Sequence, residues 1–280
     1  MKQQTTLSLS KSILTGLVIA LVGCGGGSDG SSSGDGAVCD SIGYSKSLKV
    51  ADGEQCLADS SSDTSSVVKL FLVSDGNIIG SCTGTVISAT AVLTAAHCFE
   101  SGADGVVIRA VTNGTKVDVP SSRIIVHPEF VFASPGVLFN DVAIVRTSSP
   151  LPVPAVPILL SRAPEVGETS IVAGYGQTEN GGGAVDDVVA GNAIIRVVTE
   201  NHVRIDFRGG ESHPCQGDSG GALLIEGDSG LVIVGVVSQS DPSVSEEQIC
   251  SKGDMTLYAN VQSTNISNFI TSQVPDVLVK

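Results

Sequence analysis

The chain has 280 residues, enough for one large domain or two small ones, and 41% of them are hydrophobic. Aromatics make up only 4%, Trp is absent and there are 33 glycines, a balance that suits many short strands joined by tight turns. A formal net charge of −14 repels phosphate backbones and argues against a nucleic-acid partner.

The N-terminus reads as a targeting segment. Lys2 and Lys11 form a positive region ahead of the apolar stretch SILTGLVIALVG, residues 12–23. That stretch is too short to span a bilayer and fits the apolar part of a signal peptide, residues 1–23. It ends in Leu21-Val22-Gly23-Cys24, which resembles a bacterial lipobox. The resemblance implies that Cys24 is lipidated and becomes the first residue of an exported, membrane-anchored protein of the cell envelope. Residues 25–36, GGGSDGSSSGDG, hold no apolar residue to bury and read as a flexible tether. Residues 24–49 together are expected to be the tether and a possible pro-segment.

Six cysteines remain besides Cys24: Cys39, Cys56, Cys82, Cys98, Cys215 and Cys250. In an exported chain an even number reads as disulfides, with fifteen pairings open. The sequence has no CxxC, which argues against a Cys-rich zinc site; no metal or cofactor is expected.

From residue 67 onward, short apolar runs alternate with turn residues: VVKLFLV (67–73), VVIRAV (106–111), RIIV (123–126), DVAIVR (141–146), SIVAGY (170–175), AIIRVV (193–198), HVRIDF (202–207), ALLIE (222–226) and LVIVGVVS (231–238). Their spacing and β-branched content predict an all-β domain, a sandwich or a barrel. Residues 147–168 include PLPVPAVP, whose four prolines in eight residues exclude a central strand and mark a crossing between two β halves. Over 260–274 the spacing of Val261, Ile266, Phe269, Ile270 and Val274 predicts a short C-terminal helix.

Residues 215–221, CQGDSGG, contain a Gly-x-Ser-x-Gly pattern. An α/β-hydrolase nucleophile elbow would need a histidine after the serine. All four histidines, His97, His127, His202 and His213, precede Ser219, so that reading fails. The pattern can also be a mere turn, and GDSG recurs at 227–230 between two strand-like runs, where a turn is the natural reading.

The order histidine, aspartate, serine is present, in TAAHC (94–98), NDVAIV (140–145) and CQGDSGG. Together these segments resemble the chymotrypsin–trypsin family of serine proteases over about residues 50–280. Flanking SCTG (81–84), IVHPEF (125–130), AGYG (173–176) and VVS (236–238) agree. The resemblance implies two six-stranded antiparallel β-barrels with a short C-terminal helix. It implies Ser219 as nucleophile, His97 as its base, Asp141 as the imidazole's orienting carboxylate, and the N–H groups of Gly217 and Ser219 as the oxyanion hole. It also implies bridges Cys82–Cys98 and Cys215–Cys250, which leave Cys39–Cys56.

Many family members are made as zymogens, in which a freed N-terminal ammonium pairs with the aspartate beside the nucleophile, here Asp218. Residues 49–53, Lys-Val-Ala-Asp-Gly, resemble the cleaved sequence, with Ala and Asp as departures. Cleavage between Lys49 and Val50 by a trypsin-like activity is expected, and a Cys39–Cys56 bridge would span the cut. The specificity pocket maps to His213 at its floor, Ser238, Gln239 and Ser240 along its wall, and Thr256 on the far side. With no aspartate at position 213, a preference for Arg or Lys is not expected; small or uncharged side chains come first, acidic ones second. The expected protein is a monomeric, lipid-anchored serine endopeptidase acting on proteins or peptides. Its rivals are an inactive binding module on the same fold and an esterase using the same triad.

Overall fold

In a computed structural model the described residues are 37–45, 47–50, 53–58, 60–133, 136–178 and 185–280. The expected signal peptide, Cys24 and the Gly/Ser tether lie outside them. Among the described residues no helix is long and apolar enough to cross a membrane.

The chain begins with a short helix, α1 (Ala37–Ser41), and a hairpin of β1 (Ser47–Val50) and β2 (Gly53–Cys56). The first barrel follows: β3 (Ser65–Ser74), β4 (Asn77–Ser88), β5 (Ala91–Thr94), β6 (Gly105–Thr112), β7 (Thr115–Val126) and, after the small hairpin β8 (Val131–Ala133) and β9 (Val137–Phe139), β10 (Ala143–Thr147). These six close in the order β10-β5-β4-β3-β6-β7. The second barrel uses β11 (Thr169–Gly174), β12 (Val189–Val198), β13 (His202–Asp206), β14 (Ala222–Gly227), β15 (Gly230–Ser240) and β16 (Met255–Asn260). Its order is β12-β11-β14-β15-β16-β13, and β13 pairs back onto β12 to close the ring. All these pairings are antiparallel. Closure removes the free strand edges that an open sheet would expose. The β1–β2 hairpin attaches to the outside of β12.

Alternation along the strands puts branched aliphatics inside. Leu70, Ile87, Leu93, Ile108 and Ile144 are fully buried in the first barrel, and Ile195, Ile205 and Leu223 in the second. The second GDSG is the turn that the sequence suggests: Gly227 pairs with Gly230 between β14 and β15. The proline-rich crossing carries a further anchor. Ile158 is fully buried and bridges to both Ile233 on β15 and Val279 at the C-terminus. The C-terminal helix, α2 (Thr264–Gln273), buries Ile266, Phe269 and Ile270, three of the positions whose spacing announced it.

Two lysines join the barrels. Lys69 on β3 is nearly fully buried, and its Nζ donates to the Val185 carbonyl at 2.7 Å. Lys116 on β7 pairs with Asp187 at 2.7 Å. Three disulfides complete the frame: Cys39–Cys56, Cys82–Cys98 and Cys215–Cys250. Ile158→Ala would leave a cavity where crossing, second barrel and C-terminus meet. We expect a loss of about 2–5 kcal/mol in unfolding free energy, measured by denaturant titration.

Candidate active site

Asp141 follows Asn140, a non-glycine residue with φ of 53°, immediately after β9. The turn delivers its carboxylate to the seam between the barrels, where it has no exposed surface. A buried charge needs partners, and three hydrogen bonds reach this one. The His97 backbone N–H donates to Oδ1 at 2.9 Å, and His97 Nδ1 lies 2.7 Å from Oδ2. Ser238 Oγ donates to Oδ2 at 2.6 Å. With Nδ1 turned to a carboxylate, the proton belongs on Nδ1 and Nε2 is left as the basic nitrogen. The imidazole is about one-fifth exposed and so open to the cleft.

His97 opens a 3-10 turn, His97–Phe99, after β5. The Cys82–Cys98 bridge ties that turn to β4 at the very next residue. The serine loop lies against the same strands: Thr83 N–H donates to the Ser219 carbonyl at 2.8 Å, and Cys98 Sγ is 3.9 Å from it. At Gly220, φ is 83° and a Cβ would overlap the Thr94 hydroxyl, so only glycine lets the loop press on the first barrel. Among the described residues no hydrogen bond joins Ser219 Oγ to His97. Such bonds are commonly long before substrate arrives. Around the loop the N–H groups of Asp218, Gly220 and Gly221 donate to carbonyls, whereas those of Gly217 and Ser219 donate to no backbone carbonyl of the described residues.

Asp218 points the other way, beneath the loop. Its Oδ1 accepts from Gly176 N–H at 2.8 Å and its Oδ2 from Cys215 N–H at 2.9 Å. Burial pushes its pKa up to about 6 against the pull of those two bonds. A Cβ on Gly176 would collide with the carboxyl, so the glycine leaves it room. Asp218 lines a small internal cavity of about 40 Å³, shared with Ala190, Ser212 and His213. Lys49 and Val50 lie in β1, opposite Glu54 and Gly53.

A separate pocket of about 140 Å³ opens beside Ser219. Ser238, Gln239, Ser240 and Thr256, four of the residues assigned to the pocket from the sequence, line it together with Gln216 and Asp254. His213, expected at the floor, does not line it; it sits behind Thr256, whose Oγ1 is 2.8 Å from His213 Nε2. The proline that follows His213 carries the pocket surface instead. Ser238 has a second task that the sequence did not reveal, since its hydroxyl is spent on Asp141. Gln239 likewise turns away: its Oε1 accepts from Leu138 N–H at 2.6 Å and its Nε2 donates to the Gly136 carbonyl at 2.9 Å. It thereby clamps the β8–β9 hairpin to β15. Of the other histidines, His202 Nε2 reaches the Leu138 carbonyl on that hairpin, and His127 packs against Phe269 of α2 with the rings tilted.

The family described as Trypsin matches residues 59–269. Similar proteins include Serine protease 1 of Canis lupus familiaris, 27% identical over 186 residues, covering 59% of this chain and 74% of that protein. Trypsin I-P1 of Gallus gallus is 29% identical over 175 residues, covering 55% and 69%. A trypsin of Xenopus laevis is 28% identical over 176 residues, covering 56% and 69%.

Ser238→Ala removes one of three bonds from a buried carboxylate. The expected cost is about 1–3 kcal/mol in stability, read by denaturant unfolding. An unchanged midpoint would mean that water replaces the hydroxyl.

Proposed function

Since the chain belongs to the trypsin family and is a serine-type endopeptidase, we propose that His97, Asp141 and Ser219 are its catalytic triad. The observation that carries this reading is the buried Asp141 carboxylate held by His97 and Ser238 beside the Ser219 loop. Ser219 Oγ attacks the scissile carbonyl while His97 Nε2 takes its proton. The negative oxygen that forms is met by the N–H groups of Gly217 and Ser219, an interaction worth roughly 3 kcal/mol per donor. His97 then passes the proton to the leaving amine, and an acyl-enzyme on Ser219 remains. Water, deprotonated by the same imidazole, releases the acid and restores the serine. Asp141 keeps the imidazole in the right tautomer and stabilises its cation throughout.

The substrate is protein or peptide. With no carboxylate at position 213 and hydroxyls along the pocket, the favoured side chains are uncharged first and acidic second. The expected lipid anchor at Cys24 would hold the enzyme at a membrane of the cell envelope; that part rests on the sequence alone.

The proposal includes activation by cleavage between Lys49 and Val50. What supports it is the course of β2: Glu54 pairs with Ala190, which lines the cavity that holds Asp218. Val50 and Gly53 are three positions apart along the chain, a reach of about 10 Å. An ammonium at Val50 would give Asp218 a cation that it lacks among the ion pairs of the described residues.

Incubation with a fluorophosphonate, before and after trypsin treatment, tests the triad. Label on the wild type and none on Ser219→Ala is expected, and casein hydrolysis separates a protease from an esterase. An unlabelled wild type after trypsin would overturn the assignment. A second expectation concerns pH. In the uncut chain Asp218's pKa is raised to about 6, so its ionisation weakens the fold as pH rises from about 4 to 6, by up to about 3 kcal/mol. In the cut chain an ammonium partner removes that penalty. The stability of the Ser219→Ala protein, cut minus uncut, should therefore grow between pH 4 and pH 7; a flat difference would count against Asp218 as the receiver.

A further inference from the structure

The pairing of the arginines singles out one place on the first barrel. The chain has seven arginines, and its 29 acidic residues outnumber its 15 basic ones. Arg109, Arg162, Arg196, Arg204 and Arg208 each pair with a carboxylate. Among the described residues neither Arg123 nor Arg146 has an ion pair, and Arg146 Nη1 is buried with no hydrogen-bond partner. These two stand directly opposite each other, Arg123 on β7 and Arg146 on β10. Side chains in register on neighbouring antiparallel strands share a face, and like charges so placed repel. A buried donor left without an acceptor adds its own cost. Arg123 is exposed and Arg146 half-buried, so the pair opens to solvent. The register slips between Arg146 and Thr147, and Ser122 at that bulge donates its hydroxyl to the Arg146 carbonyl at 3.2 Å. On its other side Arg146 faces Ala91, which offers no charge. Asp118, the one acid of β7, is taken by Arg109 through two hydrogen bonds.

We propose that Arg123 and Arg146 together bind a phosphate group, at a site apart from the catalytic cleft. Arg146 lies five positions beyond Asp141, at most about 17 Å along the chain, and neither arginine lines the pocket beside Ser219.

The chemistry of the pair selects the ligand. Two guanidiniums present two planar forks and two fixed positive charges. Inorganic phosphate or a phosphate monoester is close to a dianion near neutral pH, with at least three acceptor oxygens on a tetrahedral centre. It meets both forks at once and balances both charges. A carboxylate has two oxygens and one charge, so it fills one fork and leaves the other arginine short. The bound phosphate turns a cross-strand repulsion into a shared attraction and gives Arg146 Nη1 an acceptor. The chain as a whole is acidic and repels anions, so binding here depends on the pair itself and not on diffuse positive charge. A soluble phosphate and a lipid headgroup share this chemistry, and the experiment separates them.

The test follows thermal unfolding of the full chain at pH 7.5 as inorganic phosphate replaces chloride at constant ionic strength. At about ten times its Kd, phosphate should raise the midpoint by about 3–6 °C, and the gain should saturate. Acetate should bind at least about tenfold more weakly. Without phosphate, Arg123→Gln should melt above the wild type, because the opposed charge is gone. With phosphate, it should lose most of the saturable gain. Phosphate also stabilises proteins without a site, by exclusion from their surface, so the variant is the deciding measurement. Arg208→Gln, which alters an exposed arginine that already has a carboxylate, should keep the gain. Flotation with phosphatidylcholine vesicles, with and without phosphatidic acid, then finds the source. Stronger capture by the phosphatidic acid vesicles that Arg123→Gln abolishes assigns the site to a lipid headgroup; capture without that preference assigns it to a soluble phosphate. A midpoint that never saturates, a gain undiminished in Arg123→Gln or lost equally in Arg208→Gln, or acetate binding as tightly as phosphate would each overturn the proposal.

Discussion

Asp141 carries a charge with no exposed surface, and both barrels serve to make that tolerable. The first barrel supplies His97, through the turn that follows β5; the second supplies Ser238, near the C-terminal end of β15. Neither half contains the whole set of donors, so the carboxylate is solvated only when the two have docked. Pairing across such a seam is what sets the imidazole's tautomer and its basic face. The surrounding ties act on the same joint. Cys82–Cys98 fixes the histidine turn, Gly220 lets the serine loop approach, and Lys69 and Lys116 draw the 185–187 segment onto the first barrel.

Much of this was legible in the residues. Runs such as VVKLFLV and LVIVGVVS became β3 and β15 because branched side chains at alternating positions have one favourable burial mode in a closed barrel. Chain order alone separates the two serine-hydrolase readings, because all four histidines precede Ser219. The limits were those of local patterning. RIIV announced only the end of β7, which begins at Thr115 and runs through Pro120. A proline is tolerated there because β7's pairing with β10 starts only at Ser121. The β8–β9 hairpin has no strong alternation of its own; it is held by Gln239 and His202 from the second barrel, which no window of sequence reveals.

His213 marks a different limit. Counting back from Ser219 gives a position along the chain but not the direction of a side chain. Pro214 and Cys215 form the visible wall, while the imidazole turns inward toward Phe207 and Thr256. Ser238 and Gln239 show the same thing in reverse: both line the pocket, yet their polar ends are committed to Asp141 and to the hairpin. Lining a pocket and offering a free hydrogen-bonding group to its contents are separate properties, and only coordinates separate them.

The Cys39–Cys56 bridge joins the segment before β1 to the end of β2, and Val38, Ile42 and Tyr44 upstream are packed into the core. A chain cut between Lys49 and Val50 would stay tied through that bridge, so the encounter of the upstream segment with β2 would be unimolecular, at an effective concentration in the millimolar range or above. Dilution could not drive the upstream strand away from β2. Its balance between lying along β2 and giving way would be independent of how much enzyme is present, and would follow reducing agents rather than protein concentration.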